Sequence, residues 1–227
     1  MNEQIVVLAG GLGTRLGQLS ERCPKILQPV GSRRFIDFIL EPVVRQGYDR
    51  MLFCLGHHSE QVEDHLATRY GHLKIVTHTD ARPRGTAGAL RAAKHLLDET
   101  FAVLLGDTFL ELDLASVFAG QSATALGTMV VTSANCGVRP NVACDDGRVV
   151  RYDKTDGVAG GLTDTGVAVL RRSTFDLLDA EPDPLDLGVL FEKLAALGSL
   201  QAAVVDARFV DIGTPESYRE FVARRVR

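Results

Sequence analysis

The sequence predicts an α/β protein built on a mixed, mainly parallel sheet with helices on both faces. Three observations carry that prediction. Short β-branched runs alternate with segments of helical period through the first half, and helices between strands in this rhythm cross over a parallel sheet and cover it. The second half is richer in strand patterns divided by turn signals such as Asp145-Asp146-Gly147, so the sheet is expected to be mixed. Hydrophobic residues make up 45% of the 227 and charged residues 24%, enough apolar material for a core that needs neither metal nor disulfide.

Gln4–Ala9 is the first β-branched run, and a glycine loop follows it. Phe35, Ile36, Ile39, Leu40 and Val43 recur at helical spacing, with Pro42 expected to kink or split that helix. Met51–Leu55 reads as the next strand, and Ser59 as the N-cap of a helix through Tyr70 with Glu60 and Glu63 in its first turns. Leu73–Val76 is a strand, Thr86–Leu97 a helix, and Phe101–Leu105 a strand that ends in Gly106-Asp107. Strands then follow at Thr128–Thr132, Asn141–Ala143, Val149–Tyr152 and Val167–Leu170, and helical patterns at Phe175–Leu178 and Leu187–Leu197. Ala202–Val205 is the last long strand. Thr214 caps a closing helix with Pro215 at its first position. No repeat, low-complexity tract or linker divides the chain, so residues 1–227 read as one domain.

The net charge of −4 and a pI near 5.9 exclude nucleic acid and an anionic membrane surface as main partners. Cys23, Cys54, Cys136 and Cys144 form no C-x-x-C pair, which points away from a zinc site and toward a reducing compartment. No apolar run approaches the roughly 20 residues of a membrane span. The start MNEQIVVLAGG lacks the features of a secretory signal. The expected location is the cytoplasm.

Leu8–Leu16, LAGGLGTRL, is where chemistry enters. Counted from Gly11 and Gly13, the dinucleotide pattern G-x-G-x-x-G would need glycine where Leu16 stands, and no lysine follows as a P-loop demands. It is a glycine loop of a third kind. In an open α/β sheet ligands bind beyond the carboxyl ends of the strands, where this loop, Asp107 and Asp211 all fall. Two strand-end carboxylates beside a phosphate loop are the oxygen ligands Mg²⁺ takes together with substrate phosphates.

These residues resemble the sugar-1-phosphate nucleotidyltransferases, also called nucleotide-sugar pyrophosphorylases. The signature stands here as Leu8–Leu16 followed by Pro24-Lys25, with Pro83–Leu90, Leu105-Gly106-Asp107, Asp153-Lys154 and Asp211–Pro215 in the same order. Within that family the chain looks most like heptose-1-phosphate guanylyltransferases. The resemblance implies the Rossmann-like nucleotide-diphospho-sugar transferase fold, with a nucleotide-binding half over about residues 1–120 and a sugar-phosphate-binding half over about 121–227. It implies Mg²⁺ as cofactor, GTP or UTP and a sugar 1-phosphate as substrates, and a homodimer, which is common in relatives.

The roles it implies fall residue by residue. Leu8, Ala9, Gly10, Gly11, Gly13, Thr14, Gly85 and Thr86 would line the nucleotide, the loop glycines offering backbone N–H groups to the triphosphate. Arg15 would grip the leaving pyrophosphate, and Lys25 would neutralise charge near the α-phosphate. Asp107 and Asp211 would hold Mg²⁺, with Asp107 also on the nucleotide. Asn141, Asp153, Lys154 and Gly166 would meet the sugar phosphate. Asp80 takes the position that meets the base in relatives; one carboxylate can accept both N1–H and the 2-amino group of guanine, which favours GTP over UTP.

Departures from the family pattern gather on the acceptor side. Pro140-Asn141 replaces Tyr-Gly, Asp153-Lys154-Thr155 replaces Glu-Lys-Pro, and Asp164-Thr165-Gly166 replaces Asn-Ala-Gly. The acceptor therefore stays open at this stage between a heptose, MurNAc 1-phosphate with UTP, and another sugar or cyclitol phosphate. A non-catalytic nucleotide-sugar sensor is disfavoured because Arg15, Lys25, Asp107 and Asp211 are all kept. His57-His58 reads as a loop rather than a ligand pair, since chain neighbours seldom face one site.

Overall fold

The structure is a computed structural model and describes residues 2–11, 13–17 and 22–226. Among the described residues nine strands form one sheet: β1 (Gln4–Ala9), β2 (Arg50–Leu55), β3 (Lys74–Thr79), β4 (Thr100–Leu105), β5 (Gly127–Thr132), β6 (Val142–Asp145), β7 (Arg148–Tyr152), β8 (Thr163–Arg171) and β9 (Leu200–Val205). Their order across the sheet is β3-β2-β1-β4-β8-β5-β9-β7-β6. The first four strands are mutually parallel. β8 runs antiparallel to both β4 and β5, so β5 points the same way as β4, and β9 runs parallel to β5. β7 runs antiparallel to β9 and to β6, so seven strands share one direction, as the mainly parallel reading requires, and the hairpin β6–β7 closes the far edge.

Both faces are covered, and β1 shows why the sequence demands it. Its side chains alternate between faces, yet all are apolar apart from Gln4. Ile5 and Val7 enter a core with α1 (Phe35–Arg45), α2 (Ser59–Tyr70), α4 (Leu114–Gly120) and α6 (Pro215–Arg225). Val6 and Leu8 enter a second core with α3 (Gly85–Ala92) and α5 (Leu187–Ala196). A continuous apolar strand is stable only between two such layers.

Local departures have physical causes. Pro42 does not split α1, which runs unbroken from Phe35 to Arg45; buried Phe35, Ile36, Ile39, Leu40 and Val43 hold it against the sheet through the bond that proline cannot make. The N-cap of α2 is His58 in the left-handed region, and Ser59 is its first helical residue. The helix expected over 86–97 ends at Ala92 and continues as a 3₁₀ turn, Lys94–Leu96, while 172–178 is 3₁₀ throughout. Thr214 caps α6 by accepting from the Ser217 N–H, with Pro215 at the first position, as the sequence predicts.

α1 and α2 are locked through Asp37, a buried carboxylate on α1. It accepts from the Arg34 N–H, the Tyr70 hydroxyl and His65 Nε2, each at 2.9 Å, and lies 3.2 Å from Arg69 Nε. Burial alone would raise its pKa, but the hydrogen bonds from Arg34, His65 and Tyr70 outweigh it and hold the carboxyl below the ordinary carboxylate value. A depressed carboxyl contributes stability above the unfolded-state pKa of about 4 and loses it as pH falls through the lower folded value. Asp37→Ala is expected to cost about 3 kcal/mol at neutral pH and to flatten the fall in stability below about pH 4. Urea unfolding at pH 7 and pH 3 checks both; an equal loss at the two values would contradict the lock.

Candidate functional site

The shared strand direction brings the chain's reactive groups to one edge. Beyond β1 comes Gly10-Gly11, beyond β2 Gly56-His57-His58, beyond β3 Asp80, and beyond β4 Gly106-Asp107. β8 runs the other way, so its beginning, with Asp164, Thr165 and Gly166, lies at the same edge. All of these residues line one cavity of about 880 Å³.

One wall carries the charged centre. A two-residue antiparallel pair, Thr108–Phe109 with Val210–Asp211, sets Asp211 opposite Thr108, and the Ile212 N–H donates to the Asp107 carbonyl at 2.9 Å. Both carboxylates line the cavity together with Arg15 and Lys25. Pro24 leads into the 3₁₀ turn Lys25–Leu27, whose Ile26 and Leu27 are buried. That anchor aims Lys25 inward, and its Nζ lies 3.1 Å from Asp107 Oδ2 with the side chain only 13% exposed. Burial, and then the neighbouring Asp107, push the Asp211 carboxyl above its ordinary value; the Gly213 N–H, Arg15 and Lys25 offset part of this. Two oxygen donors that repel one another beside only partial cationic compensation are a chemical fit for a hard divalent cation.

A second wall lies beyond β3. Asp80 is 9% exposed at its side chain, and the Nε–H of Arg84 donates to its Oδ1 at 2.8 Å. Gly85 and Thr86, next in the same motif, line the cavity but also hold another segment. The Ala87 and Gly88 N–H groups donate to the Leu185 carbonyl, and Thr86 Oγ1 accepts from the Leu187 N–H at 2.7 Å. Gly85, at φ +75°, leaves no room for a Cβ beside the Leu185 backbone. The start of α3 is therefore occupied by residues 183–187.

The third wall gathers Asn141, Tyr152, Lys154, Asp164 and Gly166. Lys154 Nζ lies 3.0 Å from Asp186 Oδ2, and 62% of the lysine side chain is exposed. Asn141 Oδ1 accepts from the Asp164 N–H at 2.9 Å, Asp164 Oδ1 accepts from the Gly166 N–H at 2.9 Å, and the Tyr152 hydroxyl donates to Asp164 Oδ2 at 3.2 Å. Burial raises the Asp164 pKa despite these donors.

Of the residues singled out in the sequence, the cavity gathers Leu8, Ala9, Gly10, Gly11, Arg15, Lys25, Asp80, Gly85, Thr86, Asp107, Asn141, Lys154, Gly166 and Asp211. Gly13, at φ +67°, is not among the lining residues; its carbonyl accepts from the Leu16 N–H. Asp153 turns away: it accepts from the Thr155 and Asp156 N–H groups and pairs with Arg151 at 2.7 Å. The Thr14 side chain lies outside the described residues. His57 and His58 do share the site, their rings 3.7 Å apart on its wall, because the loop after β2 turns through His58. Sequence reasoning missed Tyr152, Arg84, Asp183 and Asp186; Arg84 sat inside a matched motif, whereas Asp183 and Asp186 lie in an aperiodic loop.

All four cysteines are free thiols. Among the described residues no group of three or more His, Cys, Asp or Glu is placed to hold a metal, and no helix is long and apolar enough to cross a membrane.

Comparison with known proteins agrees with this geometry. Residues 4–225 match the family described as Nucleotidyl transferase. The chain is 28% identical to a D-glycero-alpha-D-manno-heptose 1-phosphate guanylyltransferase of Campylobacter jejuni, over 96% of this chain and 98% of that protein. It is 26% identical to a protein of the same description from Aneurinibacillus thermoaerophilus, over 96% of each. Among solved structures it superposes on HddC from Yersinia pseudotuberculosis with a TM-score of 0.82 and 27% identity, over 98% of this chain and 99% of that one. HddC complexed with GMP-PN gives 0.78 at 25% identity, over the same shares.

The repulsion at Asp211 has a measurable consequence. Asp211→Asn keeps an acceptor for the Gly213 N–H but removes a buried charge facing Asp107, so it is expected to raise the melting temperature of the ligand-free protein while lowering turnover. A thermal melt beside an activity assay checks this. A fall in melting temperature would mean that Asp211 serves stability rather than the site.

Proposed function

Because the chain belongs to the nucleotidyl transferase family, we propose that it transfers a nucleoside monophosphate, GMP in preference, from a nucleoside triphosphate to a sugar 1-phosphate. The products are a nucleotide sugar and pyrophosphate. The observation that carries this reading is the convergence of Arg15, Lys25, Asp107 and Asp211 with the glycine loop on one cavity wall. A phosphate oxygen of the sugar phosphate attacks the α-phosphorus. The new O–P bond forms as the bond bridging the α- and β-phosphates breaks, and its electron pair leaves with pyrophosphate. The attacking monoester has a second pKa of about 6 and is largely dianionic at pH 7, so no general base is needed. The work of the site is to position anions and neutralise their repulsion.

Each residue supplies part of that work. A Cβ built at Gly11 meets no described atom within 4 Å, so the protein itself places no steric demand for glycine there. Close approach of a triphosphate to the backbone is such a demand. Arg15 holds the pyrophosphate and Lys25 the α-phosphate. Asp107 and Asp211 would hold Mg²⁺, which when bound offsets the charge of the triphosphate and of the departing pyrophosphate. Lys154, with Asn141 and Gly166, faces the acceptor. Asp153 acts there indirectly, by fixing the turn that carries Lys154.

GTP is favoured because Asp80 is an acceptor pair suited to the two adjacent donors of guanine, and uracil would oppose a carbonyl to it. The complex of HddC with GMP-PN and the two heptose 1-phosphate guanylyltransferase relatives support that base and a heptose 1-phosphate as acceptor. The cytoplasm, expected from the sequence, suits the free cysteines.

Pyrophosphate release in the presence of Mg²⁺, with five nucleoside triphosphates against heptose, mannose and MurNAc 1-phosphates, tests the reading. GTP with D-glycero-D-manno-heptose 1-phosphate is the expected pair; UTP alone would retain the chemistry and discard the base assignment. With the active pair, kcat/KM for the acceptor is expected to rise with pH and level off above about 6, following the dianion. A continued rise to pH 9 would contradict an unassisted nucleophile.

A further inference from the structure

A base-reading carboxylate selects a base only if its two oxygens are held still. Asp80 sits in a loop between β3 and Pro83, where nothing in the local backbone fixes its side chain. The fixing comes from Arg84, four residues on, and through it from residues distant in sequence. Arg84 donates through Nε to Asp80 Oδ1 at 2.8 Å and through its terminal NH1 group to Asp183 Oδ2 at 2.5 Å. Asp183 Oδ1 in turn accepts from the terminal NH2 group of Arg91 at 2.7 Å. Arg91 is itself tied to main chain, donating through NH1 to the carbonyls of Leu178 and Glu181 at 2.5 and 2.7 Å. The charges alternate along this row, and its far end is anchored to backbone.

Two further features show that the row is built into the fold. Gly88 lies on α3 where a Cβ would come within 2.7 Å of Asp183 Oδ1 and 2.9 Å of the Arg84 Cβ, so the missing side chain makes room for the contact. The segment carrying Asp183 is docked on the start of α3 by the Leu185 carbonyl and the Leu187 N–H. At Asp80, Arg84 uses Oδ1, and His78 Nε2 lies 3.5 Å from that same oxygen. Neither contact engages Oδ2.

We propose that Asp183 is a positioning residue for nucleotide selection, acting through Arg84 to hold the Asp80 carboxylate in the orientation that accepts both donors of guanine. The inference rests on the reading that Asp80 meets the base. Arg84 is the connecting element: its planar fork reaches two carboxylates at once, which a lysine cannot do. Asp183 keeps Arg84 from turning wholly onto Asp80, so Asp80 retains acceptor capacity for the nucleotide. The 2-amino group of guanine is the part of the ligand that needs this alignment, because it is the second donor.

Inosine triphosphate lacks that amino group and is the direct probe. Affinities of GTP and ITP are measured by calorimetry with Mg²⁺ and no acceptor, so acceptor identity plays no part. The unaltered protein is expected to prefer GTP about tenfold, the value of one hydrogen bond to a charged group. Asp183→Asn, and independently Gly88→Ala, should bring the ratio to within about threefold of unity, as should Asp80→Asn; adding Asp183→Asn to Asp80→Asn should change it no further. A fold defect lowers both affinities together and leaves the ratio unmoved. An unchanged GTP/ITP ratio in Asp183→Asn and Gly88→Ala, while Asp80→Asn lowers it, overturns the positioning role alone. An unchanged ratio in Asp80→Asn overturns the base reading and the inference with it.

Discussion

Two carboxylates held in one partly buried space against their own repulsion are the constraint on which this molecule depends. Asp107 and Asp211 come from chain positions more than a hundred residues apart, joined by a two-residue strand pair and the bond from the Ile212 N–H to the Asp107 carbonyl. Lys25, Arg15 and the Gly213 N–H relieve part of the repulsion, and the Asp211 carboxyl remains raised nonetheless. A fold that tolerates such an arrangement holds stability in reserve elsewhere. Here the reserve is a sheet whose central strands are apolar on both sides, and the Asp37 lock between two of its covering helices.

The same edge shows how motif residues divide their labour. Leu8–Leu16 and Pro83–Leu90 both look like phosphate loops, yet they are used differently. Gly11 opens onto the cavity, whereas Gly85 and Gly88 are small because residues 183–187 press against them. The N–H groups at the start of α3, which elsewhere would suit an anion, are given to the Leu185 carbonyl. That segment reaches two walls of the cavity, through Asp183 to Arg84 and Asp80, and through Asp186 to Lys154. Under the proposed function, base reading and acceptor binding thus share one support.

The sheet was legible in the sequence because β-branched runs and helical periods are local signals, and the strand-end rule pointed to Asp107 and Asp211, which line one cavity, although Asp211 reaches it from a separate two-residue strand pair. The split expected as one outcome at Pro42 does not occur, since its cost is local while the packing that absorbs it is not. The end of α3 at Ala92 was misplaced for a related reason: Lys94–Leu96 stays helical enough in pattern to extend the reading. Asp183 and Tyr152 were invisible because their roles come from partners 99 and 12 residues away, and Asp183 lies in a segment without period. Asp153 and Lys154, matched as a pair, part company because one side chain closes a turn while the other leaves it.

The central claim is that the cavity offers the α-phosphorus of the triphosphate, not the γ-phosphorus, to a sugar phosphate. ³¹P NMR of a completed reaction with GTP, Mg²⁺ and heptose 1-phosphate tests it most directly. The account predicts a nucleotide-sugar diphosphate doublet pair together with pyrophosphate and no GDP. Resonances of GDP with a newly phosphorylated sugar would mean γ-transfer and would contradict it.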